Sequence, residues 1–105
     1  MNINKLYDLN NVNINLVNEW NNVIHSIENN NEYKIVHLDV GRSHTYIGNF
    51  FKLLNNEYGI DIEYWYPHLA INKLKSNTSY AGNNEIKIID PTVLDRYLDI
   101  FTKNK

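Results

Sequence analysis

Apolar positions along this chain recur with two periods, and the switches between them outline the elements. From Asn13 to Glu28 the residues Leu16, Val17, Trp20, Ile24 and Ile27 follow helical spacing and form one stripe. Asn13 is the N-cap candidate, because its side-chain oxygen can accept an unpaired N–H of the first turn. The polar run from Glu28 to Glu32 predicts a turn. Tyr33 to Val40 then alternates, with Val36, Leu38 and Val40 on one face and Tyr33, Ile35, His37 and Asp39 on the other, as in a strand. Ile47, Phe50, Phe51 and Leu54 restore the helical period and predict a helix over Thr45 to Tyr58, with Gly59 free to turn left-handed after it. Ile60 to Tyr66 alternates again, Ile60, Ile62, Tyr64 and Tyr66 against Asp61, Glu63 and Trp65, and Pro67 ends this second predicted strand. One or two helical turns follow, then a loop or hairpin tip over Ser76 to Asn84 and a third strand over Glu85 to Asp90. Asp90 as N-cap and Pro91 at the first helical position open a last helix whose buried face is Leu94, Tyr97, Leu98 and Phe101.

The predicted order is α-β-α-β-(loop)-β-α. A short helical crossover between neighbouring strands favours parallel, right-handed pairing. The expectation is therefore an α/β fold, a three-stranded, at least partly parallel sheet packed by helices. Its 105 residues suit one compact domain, with residues 1–10 polar and expected to fray.

Composition narrows the function classes. The chain has no cysteine, which removes disulfide frameworks, zinc ribbons and thiol catalysis. No apolar run approaches the roughly 20 residues of a spanning helix, and no basic start precedes an apolar core. A soluble protein is expected, cytoplasmic, or in the host cell cytoplasm if viral. Net charge is −2 and the ten cations are scattered, which argues against direct nucleic-acid binding. Twenty asparagines, together with many Ile, Lys and Tyr, are residues with AT-rich codons. That bias suits a low-GC bacterium or its phages.

Two segments hold candidate chemistry. Gly41, Arg42, Ser43, His44 and Thr45 follow the first strand, where α/β sheets bind ligands. Glycine permits a tight turn, a helix N-terminus offers N–H groups, and Arg42 suits a phosphate or carboxylate. The layout of strand, loop and helix, with Asp90 ending a later apolar strand, is similar to that of P-loop NTPases. The lysine and spacing of G-x-x-x-x-G-K-[ST] are absent, so no NTP hydrolysis is inferred. His25, His37, His44 and His68 match no strong metal spacing. Ser43 beside His44 is no catalytic pair, because adjacent residues seldom reach nucleophile–base geometry.

The second segment is acidic and aromatic. Asp61, Glu63 and Trp65 share one face of the predicted strand, and Asp95 and Asp99 add acid on the last helix. Tyr and Trp are favoured at protein interfaces, and opposite potentials steer association. The expected function is a small non-enzymatic binding protein, a phage or mobile-element accessory factor that binds and inhibits or modulates a host protein or defence complex. A phosphate- or nucleotide-binding module using Gly41 to Thr45 is the second reading, and a self-associating structural subunit the third. No catalytic residue, metal or cofactor is assigned.

Overall fold

The computed structural model describes residues 13–103. The expected fraying of residues 1–10, and a capping role for the Asn13 side chain, lie outside what is described. The elements are α1 (Asn13–Asn29), β1 (Tyr33–His37), α2 (Val40–Thr45), α3 (Phe50–Tyr58), a 3-10 turn (Ile62–Tyr64), α4 (Trp65–Ile71), a second 3-10 turn (Asn77–Ser79), β2 (Glu85–Ile89) and α5 (Pro91–Lys103). Among the described residues no helix is long and apolar enough to cross a membrane.

The expected three-stranded, partly parallel α/β sheet is not what forms. Helices dominate, and the described sheet is a ribbon of two antiparallel strands, with Tyr33 opposite Ile89 and His37 opposite Glu85. The error lies in Ile60 to Tyr66. That stretch makes an irregular turn, a 3-10 turn and the start of α4. Alternation over seven residues cannot by itself separate a strand from tightly wound turns. Pro67 does not stop a strand; it sits third in α4, within the first turn, where the N–H it lacks would have no intrahelical acceptor. With this strand gone, no crossover dictates a parallel return.

A second difference concerns the helix expected from Thr45 to Tyr58, which is two helices. Gly48 takes a left-handed φ of 78° between them, and Asn49 restarts the helix by accepting the Lys52 N–H at 3.3 Å. Correspondingly, β1 ends at His37, short of Val40. Elsewhere the local chemistry acts as expected. After α1, Asn31 adopts φ 54°, and the N–H groups of Asn31 and Glu32 return to the carbonyls of Glu28 and Ile27, each at 3.1 Å. This Schellman closure is the turn foreseen at Glu28 to Glu32. At the same end of the ribbon, where Tyr33 faces Ile89, Asp90 accepts both the N–H and the hydroxyl of Thr92 at 2.9 Å, capping α5 with Pro91 as its first residue.

Each face of the ribbon covers one hydrophobic cluster. Trp20, Ile24 and Ile27 of α1 meet Ile71, Ile89 and the α5 residues Val93, Leu94 and Phe101 on one side. Trp20 is fully buried and stands edge-on to Phe101, with ring centroids 4.9 Å apart. On the other side Ile86 and Ile88 pack with Leu38, Phe50, Leu53, Leu54 and Tyr80. Helix α4 serves both, sending Ile71 into the first cluster and Leu69 into the second.

The same helix closes the outer edge of β2. Asn72, just past its end, donates to the Lys87 carbonyl at 3.0 Å and accepts the Lys87 N–H at 2.8 Å. His68 accepts the Ile89 N–H at 3.1 Å. Replacing Asn72 with alanine leaves a strand N–H and C=O without these partners. Loss of about 2–3 kcal/mol of stability is expected, read as a lower urea midpoint with unchanged slope. Asn72→Asp should not rescue it, because a carboxylate oxygen would then face the Lys87 carbonyl.

Candidate functional site

The Gly41 to Thr45 segment forms most of the short helix α2 rather than an open loop. Its N-cap is Asp39, whose carboxylate accepts the Arg42 N–H at 2.8 Å. The Arg42 guanidinium lies 3.7 Å from Asp39 and 3.6 Å from Glu57. Glu57 also accepts the Tyr46 hydroxyl at 2.8 Å, and that bond, followed by burial, raises the Tyr46 pKa. Ser43 is fully buried and donates to the Val40 carbonyl at 3.0 Å. Thr45 donates to the Gly41 carbonyl at 2.8 Å. His44 packs beside Gly82, where an added Cβ would lie 3.0 Å from the imidazole. The groups expected to meet an anion are thus engaged within the chain, and a carboxylate already stands at the helix start.

The histidines are dispersed. His25 meets Asn29 one helical turn along, and His37 lies 3.7 Å from Glu85 across the ribbon. Among the described residues no three His, Asp or Glu side chains converge as a metal site. His68 is fully buried, and both ring nitrogens are in use. Nδ1 lies 2.7 Å from the Tyr64 carbonyl and must donate to it, so Nε2 is left as the acceptor for Ile89. Burial drives the His68 pKa down to about 4, only partly offset by the Tyr64 bond.

Asp61, Glu63 and Trp65 come together, although not on a strand. The 3-10 turn and the start of α4 present them along one cleft of about 660 Å³, which α3 closes with Phe51 and Lys52. Trp65 stacks on Phe51 at 4.7 Å with 21° between the rings. Its indole N–H donates to the Ile60 carbonyl at 2.8 Å, which fixes the ring in place. The backbone N–H of Phe51 donates to Asn77 Oδ1 at 2.6 Å, which ties the start of α3 to the second 3-10 turn. Among the described residues the cleft therefore joins two stacked aromatic rings to the side chains of Asp61, Glu63 and Lys52.

Asp95 and Asp99 lie apart from it on α5. Asp95 accepts the Tyr64 hydroxyl, and burial followed by that bond raises the tyrosine's pKa. Phe51, Lys52 and Asn77 escaped the sequence reading. Phe51 has the spacing of a core position, and nothing local announces that the chain folds Asn77 back beneath it.

Comparison with known protein families, with curated proteins and with solved structures finds no match.

The buried histidine sets a pH dependence. Unfolded, the imidazole has an ordinary pKa near 6.5; folded, it stays neutral down to about 4. The unfolded chain thus binds a proton that the folded chain refuses. The stability due to neutral His68 is complete above about pH 6.5 and is lost as pH falls towards 4, on the order of 3 kcal/mol in all. Asp90, held below the usual carboxylate range by its two Thr92 bonds, adds a further loss at lower pH. Urea midpoints across this window should fall for the natural chain and stay nearly level for His68→Gln. A flat profile for the natural chain would rule out the neutral clamp.

Proposed function

We propose that the chain is a small non-enzymatic binding protein that docks a segment of another protein in the Phe51–Trp65 cleft. The observation carrying this reading is the convergence of Asp61, Glu63 and Trp65 with Phe51 along one cleft. Rigid aromatic anchors surrounded by polar groups are the features that dominate binding energy at protein interfaces. The exposed Asp61 carboxylate at the cleft favours a basic partner, because complementary potential steers encounter and disfavours acidic competitors. The AT-rich residue usage supports the wider role of a phage or mobile-element accessory factor acting on a host protein or defence complex in the host cytoplasm. Anion capture by Gly41 to Thr45 has less support, since Asp39 and the intrachain bonds already engage that segment.

Affinity capture from host lysate, run in parallel with the natural chain, Trp65→Ala and Asp61→Lys, tests the docking site. A partner recovered by the natural chain should be lost with both variants, and a cooperative melting transition confirms that each variant, Trp65→Ala at a lower temperature, is still folded. Equal recovery by all three chains would remove the cleft from the interface.

A further inference from the structure

We propose that the outer edge of β1 is a self-association surface, on which β1 of a second copy pairs antiparallel and joins the two ribbons into one sheet across a two-fold axis. The ends of the ribbon fix which way its peptide groups point. The Asp90 N–H donates to the Glu32 carbonyl at 3.0 Å, and the Leu38 N–H to the Asn84 carbonyl at 2.8 Å. Lys34 and Val36 lie an even number of residues from both, so their peptide groups turn towards β2. Those of Tyr33, Ile35 and His37 turn outward. Among the described residues nothing bonds these outward groups, whereas His68 and Asn72 close the opposite edge of the ribbon.

An open edge is a template for another strand, and chains commonly block it with proline, a bulge or charge. β1 has no proline and pairs residue for residue with β2. Its lysine, Lys34, points to the opposite face from Ile35, which stands at the middle of the outward row and is 51% exposed. A two-fold axis at Ile35 sets Ile35 against its own counterpart and Tyr33 against His37, each pair exchanging both backbone bonds. On the other face Lys34 falls opposite Val36. Charge and pairing select this register. One step towards the N-terminus would set two Lys34 ammonium groups directly opposite each other, which is destabilising. One step the other way would leave Tyr33 with no strand residue to pair. A second copy therefore meets every outward peptide group, covers Ile35 with Ile35 and keeps like charges from facing one another.

The strand offers 5 residues a side. A standard interface uses roughly 20–30 per partner, so this association is weak and depends on concentration. Sedimentation equilibrium of the full chain from about 10 µM to about 1 mM tests it, with amide hydrogen exchange measured at both concentrations. The average mass should rise from that of one chain towards twice that value. Exchange at the Tyr33, Ile35 and His37 amides should slow several-fold as concentration rises, while Lys34 and Val36, already bonded to β2, stay unchanged. Ile35→Pro removes an N–H that β2 does not use and that an edge strand can spare. Ile35→Lys sets two ammonium groups face to face across the axis. Each should weaken association several-fold, and melting curves confirm folding, the lysine variant carrying the test if the proline variant does not fold.

The mass of one chain at the highest concentration would overturn the proposal. So would a dimer whose Tyr33, Ile35 and His37 amides exchange at the same rate at both concentrations, or one that a folded Ile35 variant leaves intact, since its interface then lies elsewhere. These outcomes are independent of the cleft, which Trp65→Ala and Asp61→Lys test separately.

Discussion

The outer edge of β2 carries peptide groups that no third strand among the described residues meets, and the arrangement of those residues follows from how these groups are met. A two-stranded ribbon is marginal in water by itself. Here α4 lies along the open edge and supplies side chains where a strand would supply backbone. The spacing makes this feasible. Four residues of helix rise about 6 Å, and two residues of strand span about 6.7 Å. His68 and Asn72, four apart, therefore come into line with Ile89 and Lys87, two apart. The asparagine amide imitates a peptide group, with one donor and one acceptor. The imidazole can imitate only the acceptor, and only while neutral. In this position the histidine is an element of the sheet rather than a reagent.

Where one local signal was sufficient, the sequence was legible. The α1 stripe, the two strands of the ribbon, the left-handed Gly59 and the Asp90–Pro91 start of α5 all rest on spacing or on a single capping residue. Ile60 to Tyr66 failed because its alternation was too short to decide between periods, and because proline punctuates both strand ends and helix starts. Thr45 to Tyr58 failed because the break at Gly48 depends on a tertiary contact, the Gly48 N–H bonding the Tyr80 carbonyl at 2.9 Å. The acidic and aromatic side chains of the cleft were picked out from a shared strand face that does not exist. They nevertheless lie together because a tight turn can also set alternate residues to one side. Phe51 and Asn77 come from segments that only the folded chain brings near.

One helix links these features. Trp65 opens α4, His68 and Asn72 hold the ribbon, and Leu69 and Ile71 reach into the two clusters. The cleft thus stands on the element most firmly tied to the rest of the chain. A binding surface placed this way is rigid, and rigidity lowers the entropy that must be given up on association.

The pairing of β1 with β2 has a consequence for the order of assembly. The strands are neighbours in space but are separated in sequence by three helices. Closing that long loop costs conformational entropy before any ladder bond forms, and isolated β1 gains nothing by waiting. Local helical turns around α3 and α4 face no such cost. They are expected to gather first and present the row of His68 and Asn72 as a template, on which β2 is laid down and to which β1 is added last.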